Sequence, residues 1–158
     1  MDGIDISLVK TNGVGLIRLN KNYFYEYGIE TKNILMDILK NDINSNLKRK
    51  QYLDELVTNE HYLALKNLKI LETCDLIGFH GQTIYHNPNN KISIQLGNPK
   101  ILAKMLNKDV VFDFRSNDIL SGGQGAPLAP IFHKLIIEEL NLNLPSCILN
   151  IGGVSNLT

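Results

Sequence analysis

Residues 113–133 read DFRSNDILSGGQGAPLAPIFH. Two carboxylates, Asp113 and Asp118, one guanidinium, Arg115, and a glycine-rich turn stand between two apolar runs. The first run, Val110-Val111-Phe112, has strand character, and the second, over residues 127–140, has helix character. α/β proteins usually place ligand chemistry at such a strand-to-helix junction. Arg115 can fork onto a carboxylate or a phosphate. Asp113, at the strand end, could hold Arg115 in place or bond a sugar hydroxyl. A plain structural ion pair is the plainer alternative. Two close carboxylates also admit glycosidase chemistry, one acid and one base or nucleophile, but the sequence sets no distance between them.

A second polar cluster, HGQTIYH at residues 80–86, follows the apolar run Leu76-Ile77-Gly78-Phe79. His80, Gly81, Gln82 and Thr83 therefore sit at the end of a buried-type strand, where open sheets meet their ligands. Gly81 permits close backbone approach. Gln82 offers a donor and an acceptor and Thr83 a hydroxyl, which suits a sugar or an amide. The alternative is that the four merely cap a strand and a turn. His80 and His86 are six apart, wider than usual zinc pairs, with no nearby Cys or carboxylate to complete a set. His61 and His133 are isolated. The loop Gly122-Gly123-Gln124-Gly125-Ala126-Pro127 could present backbone N–H groups to an anion or simply let a helix pack closely. It matches neither nucleotide fingerprint. Ile151-Gly152-Gly153 repeats the theme of a strand running into paired glycines.

The elements that must position these groups follow from apolar periodicity. Residues 4–10 alternate, residues 11–13 turn, and residues 14–19 continue, which predicts a β-hairpin. Ile34, Leu35, Ile38 and Leu39 share a helical face, with Thr31 as a candidate cap. Residues 41–49 are polar and predict a loop. A second helical region runs over residues 52–69. Strands are expected at 74–79, 92–96, 109–114 and 147–151. Residues 86–91 predict a turn, and Pro99 opens a short helix. A last helix starts on Pro127. The order is α/β, with partly parallel strands.

The bulk composition excludes more than it selects. The 158 residues balance 16 basic against 16 acidic side chains, so no net field argues for nucleic acid or an anionic membrane. No apolar run approaches the roughly 20 residues of a membrane span, and no leader is visible, which predicts a cytoplasmic protein. Cys74 and Cys147 each lie in an apolar run and are expected to be buried, reduced and structural. The opening MDGIDISLVK and the closing CILNIGGVSNLT both suggest truncation.

The segments MDGIDISLV, GFHGQTIYH, SIQLGNP, VVFDFRSNDILSGGQGAPLAPIFH and NIGGVSNLT, taken in order, resemble the anhydro-N-acetylmuramic acid kinases over nearly the whole chain. The resemblance implies the actin-like (ribonuclease H-like) ATPase/sugar-kinase fold. Residues 1–145 would be the N-terminal sugar-binding lobe and residues 146–158 the start of the nucleotide-binding lobe. It implies cleavage of the 1,6-anhydro ring of 1,6-anhydro-N-acetylmuramic acid and phosphorylation by ATP with Mg²⁺, giving N-acetylmuramic acid 6-phosphate in cell-wall recycling. His80, Gly81, Gln82, Thr83, Gln95, Asp113 and Arg115 would then face the sugar, with Arg115 on its lactyl carboxylate. Asp2, Gly3, Gly152 and Gly153 would face the nucleotide. The family's Gly-Thr-Ser turn would precede Asp2. Its DxGPGN-type segment, the implied source of the catalytic base, would follow Thr158. On that reading the chain carries no catalytic residue and no metal ligand, and is inactive alone. A separately encoded C-terminal half is then a candidate partner, and a homodimer is compatible with the full-length family. The contrasting expectation is a non-catalytic sugar-binding or vestigial lobe. A glycosidase or a generic metabolite-binding α/β domain is a further alternative.

Overall fold

The computed structural model describes residues 2–40, 42–150 and 156–158. The chain divides into two compact units, one of residues 1–6 and 22–125, the other of residues 7–21 and 126–158. Strands β1 (Gly3–Thr11) and β2 (Leu16–Glu26) form the expected hairpin. Its turn is held by Asn12, whose Oδ1 accepts from the N–H groups of Val14 (3.0 Å) and Gly15 (2.8 Å).

In the first unit, helix α1 (Ile29–Lys40) begins two residues before Thr31, so Thr31 is not its cap. Its hydroxyl instead donates to the Glu60 carboxylate on helix α3 (Lys50–Lys66), in the interior. Tyr25 also hydrogen-bonds Glu60. Burial, with the Glu60 charge second, pushes the Tyr27 hydroxyl up to about 12. The polar stretch expected as a loop is a short helix, α2 (Ile43–Lys48). Asp42 caps it by accepting from Asn44 and Ser45 N–H, and Asn46 Nδ2 donates to the Ile38 carbonyl at 2.9 Å. Local capping outweighed low apolar content there. Leu35 and Ile38 of α1, Leu53, Val57 and Ala64 of α3, Ile4, Tyr27 and Leu96 form one apolar core. Each fully buried Leu in it contributes about 1.5–3 kcal/mol.

After α3 a 3-10 turn (Lys69–Thr73) leads into β3 (Leu76–Phe79). β3 pairs in parallel with β6 (Asp109–Phe112), Phe79 opposite Phe112. The expected parallel strands are thus present. Between them the chain makes an antiparallel hairpin, β4 (Gln82–Asn87) and β5 (Ile92–Leu96), and helix α4 (Pro99–Leu106), which packs against α3 and β6. β4 was not foreseen, because its mixed polar and apolar residues read as a ligand turn. Pro99 lies in the first turn of α4 as expected, and Asn98 caps it. A five-residue helix, α5 (Ser116–Leu120), follows β6, where the sequence reading placed no element.

In the second unit, helix α6 (Ala129–Glu139) starts two residues after Pro127. β7 (Leu149–Asn150) pairs antiparallel with β8 (Asn156–Leu157). Cys147 is exposed and Cys74 half-buried, contrary to the expectation of two buried thiols. Among the described residues no helix is long and apolar enough to cross a membrane.

Candidate functional site

An open cleft of about 340 Å³ lies in the first unit. Its lining includes His80, Ser93, Gln95, Gly97, Asp113 and Arg115. That size is within the range of small-molecule sites. The parallel pairing of β3 with β6 is what creates it. Matched register ends both strands side by side, so His80 and Asp113, the residues just past Phe79 and Phe112, emerge together.

Arg115 ties three segments. Its Nε–H and one Nη2–H both donate to His80 Nε2, at 3.0 and 2.8 Å, and Nη1 donates to the Gly125 carbonyl at 3.0 Å. His80 Nδ1 lies 3.0 Å from the Gly81 carbonyl, which can only accept, so Nδ1 carries the proton and Nε2 is the free acceptor. The bonds are therefore self-consistent with a neutral imidazole. Burial, with the Arg115 charge opposing protonation as well, holds His80 below the ordinary histidine value, against the pull of the Gly81 carbonyl. Partial burial also lowers the Arg115 value. Of the five guanidinium N–H groups, the three bonds leave two without a partner among the described residues.

The expected Asp113–Arg115 pair does not form. Asp113 Oδ1 accepts the Ser116 N–H at 3.3 Å, and its backbone is left-handed, with φ 59°. The sharp bend this makes turns the chain from β6 into α5, and Asx-type bonding tolerates it. Asp118, the second carboxylate, is committed to the glycine-rich loop. Its Oδ2 accepts the Gly125 N–H at 2.7 Å, and it sits where a Cβ on Gly123 would fall. The loop thus folds back onto α5, and Arg115 closes it from the other side.

Gly81 does permit a close approach, but to protein. Its φ is 70°, and a Cβ there would strike the Leu96 carbonyl. Gln82 and Thr83 start β4 and are not among the cleft's lining residues. Gln82 Nε2 reaches only the Thr83 carbonyl, at 3.4 Å. Gln95 does line the cleft, and its Nε2 donates to Ser93 Oγ at 2.8 Å and Thr83 Oγ1 at 3.3 Å. Asp2 accepts the Tyr27 N–H through its carbonyl at 3.1 Å. Gly3 is packed so closely on β2 that a Cβ would meet the Tyr25 carbonyl. Gly152 and Gly153 lie outside the described residues.

Sequence reasoning missed the clamp that holds the cleft's rim. Asp54 and Thr58, one helical turn apart on α3, face the β5–α4 junction. Asp54 Oδ1 accepts the Gly97 N–H at 3.0 Å, and Thr58 Oγ1 accepts the Asn98 N–H at 2.7 Å while donating to the Asp54 carbonyl at 2.6 Å. Gly97 has φ 110°, and a Cβ there would lie 2.5 Å from Phe79 Cζ. The only local clue was that Asp54 and Thr58 lie four apart and so share one helix face.

The model of the anhydro-N-acetylmuramic acid kinase family matches residues 1–158. A protein of that name from Pelagibacter ubique is 42% identical over 170 aligned positions, covering all of this chain and 44% of the relative. Namesakes from Azorhizobium caulinodans and Nitrobacter winogradskyi are 37% and 32% identical, again over the whole chain, with 45% and 46% of their own lengths covered. The chain therefore spans just under half the length of the curated relatives it matches.

Proposed function

The chain belongs to the anhydro-N-acetylmuramic acid kinase family, and on that premise we propose that it forms the sugar-binding part of a cytoplasmic enzyme. That enzyme opens the 1,6-anhydro ring of 1,6-anhydro-N-acetylmuramic acid and phosphorylates the sugar with ATP to N-acetylmuramic acid 6-phosphate. The fold of this family is that of the sugar kinases and actin-like ATPases, in keeping with the mixed α/β structure and its flanking helices. Residues 1–145 are assigned to the sugar-binding lobe and residues 146–158 to the start of the nucleotide-binding lobe.

One observation carries the sugar-binding assignment: a half-buried guanidinium in a cleft, fixed by His80 and Gly125, with N–H donors to spare. The proposed substrate carries a lactyl carboxylate, and a pre-oriented arginine is the side chain best suited to grip one. Because Arg115 is already held, little rotamer entropy is lost on binding. His80, neutral and with its acceptor nitrogen occupied, orients Arg115 and is not free to take a proton. Asp113 and Gln95 offer acceptors for sugar hydroxyl or amide donors at the same cleft.

The nucleotide is a different matter. ATP and Mg²⁺ follow from the family's chemistry. Asp2 accepts the Tyr27 N–H through its backbone carbonyl, and Gly3 packs against the Tyr25 carbonyl of β2. Among the described residues, no group of three or more His, Cys, Asp or Glu could hold a metal ion. Turnover is assigned to an assembly that includes the further length the relatives possess.

Titration calorimetry tests this reading with two sugars, 1,6-anhydro-N-acetylmuramic acid and the anhydro amino sugar lacking the lactyl group. The chain is expected to prefer the carboxylate-bearing sugar by about tenfold or more, as for a hydrogen bond between charged groups. Arg115→Gln should abolish that preference. Equal binding of the two sugars by the unaltered chain, or an undiminished preference in Arg115→Gln, would overturn it. With ATP, Mg²⁺ and the sugar, the chain alone is expected to form no ADP, and ADP should appear when a polypeptide supplying the rest of the relatives' length is added.

A further inference from the structure

The turn of the β1–β2 hairpin carries chemistry that the reading above leaves unused. Asn12 is the chain's one asparagine followed by glycine. In such a pair the backbone nitrogen of the glycine can attack the asparagine side-chain amide, because no Cβ crowds that nitrogen. The turn lies open to water. Val14 is 85% exposed, and a Cβ on Gly13 would meet nothing within 4 Å.

Hydrogen bonds arrange the reacting groups. The Val14 and Gly15 N–H groups converge on Asn12 Oδ1 at 3.0 and 2.8 Å. Only an oxygen can accept from both, so these bonds fix which end of the amide is the carbonyl. Attack at Cγ moves negative charge onto Oδ1. Two backbone N–H donors at such distances then act as an oxyanion hole. The Gly13 N–H, whose nitrogen must attack, donates to Thr11 Oγ1 at 3.1 Å. Thr11 gives its own hydroxyl proton to the Gly15 carbonyl at 2.6 Å, so a lone pair of Oγ1 is what faces Gly13. That bond polarises the Gly13 N–H toward loss of its proton.

We infer that Asn12 is a self-modifying site, converted by its own turn to a succinimide and then to aspartate or isoaspartate, with Thr11 as the positioning residue. Gly13 N bonds to Asn12 Cγ, and its proton passes through water to the departing Nδ2. The Cγ–Nδ2 bond breaks and ammonia leaves. Water then opens the ring at either carbonyl. The sum is amide plus water to carboxylic acid plus ammonia, with nothing oxidised or reduced. Opening at the main-chain carbonyl routes the backbone through Cγ and adds a methylene to the turn. The side-chain acceptor that holds the hairpin is then lost, so the hairpin loosens as the molecule ages.

Peptide mapping by mass spectrometry follows residue 12 during incubation at mildly alkaline pH, with the aspartate and isoaspartate products separated by chromatography. The folded chain is compared with the same chain unfolded in urea, where only the Asn-Gly pair itself acts. Asn12 is expected to convert severalfold faster in the folded chain. Thr11→Val should remove most of that excess and leave the unfolded rate unchanged. Thr11→Ser, which restores a hydroxyl, should recover it. Conversion no faster in the folded chain than in the unfolded one overturns the inference. So does a parental rate in folded Thr11→Val, or a failure of Thr11→Ser to recover the excess. None of these outcomes touches the sugar-binding reading, which rests on Arg115.

Discussion

The Arg115–His80 contact ought to be a pH-dependent fastener, and its strength can be worked from the geometry. Two guanidinium N–H groups converge on one imidazole nitrogen at 3.0 and 2.8 Å. Hydrogen bonds involving a charged group contribute roughly 1.5–3 kcal/mol when shielded. His80 is only partly shielded and keeps access to solvent, so screening reduces the expected coupling to about 1 kcal/mol. A double-mutant cycle of Arg115→Ala and His80→Ala, read by urea unfolding at pH 8, should return that value. His80 has a folded-state value below its ordinary one, first through burial and then through the Arg115 charge. The folded state thus takes up the proton less readily than the unfolded chain. Stability is then complete above the unfolded histidine value of about 6.5, and falls as the pH drops below it, levelling off beneath the folded value. Once the pH falls below the folded His80 value the coupling should vanish or become repulsive, because protonated Nε2 cannot accept and faces a second cation. His61 adds acid sensitivity of the same sign, since burial dominates its lowering too. The cycle separates the two, because His61 is present in all four proteins. A coupling below about 0.3 kcal/mol at pH 8, or one that grows as the pH is lowered, would refute the reasoning.

Two further substitutions probe the clamp behind the cleft. Thr58→Val preserves shape but leaves the Asn98 N–H without the acceptor it holds at 2.7 Å. It should cost about 1–3 kcal/mol in urea unfolding, and a loss under about 0.5 kcal/mol would show that water or a neighbour substitutes at no expense. Gly97→Ala combines a φ of 110° with a Cβ 2.5 Å from Phe79 Cζ and 3.3 Å from Val57 Cγ1. A loss of about 3 kcal/mol or more is expected. A melting temperature within a degree or two of the parent would contradict the packing described.

Much of the frame was legible from local signals. The hairpin turn at Asn12 and Gly13 and the Asn98-Pro99 start of α4 rest on interactions within a few residues, and short apolar runs mark β3 and β6 as strands. Side-chain period, caps and turn chemistry encode these directly. The family resemblance was also written in the order of the polar segments, and the match over residues 1–158 agrees with it. The misplaced elements were those where a weak local pattern was decided by a distant partner. Thr31 has the chemistry of a cap, but the Glu60 carboxylate, 29 residues on, draws it inward.

The site's wiring belonged wholly to tertiary structure. Arg115 has Asp113 two residues away in sequence, yet it bonds His80, 35 residues distant. The bend at Asp113 sends that carboxylate to Ser116, while parallel strand ends deliver His80 to the guanidinium. Likewise, nothing local announces that Ile84 bulges and so turns His86 toward Ser93. Sequence determined which donors and acceptors were available and on which kinds of element they ride. Register, bulge and chain direction decided which of them meet. A hydrogen bond extends only about 3 Å, and whether two groups come that close depends on every element packed between them.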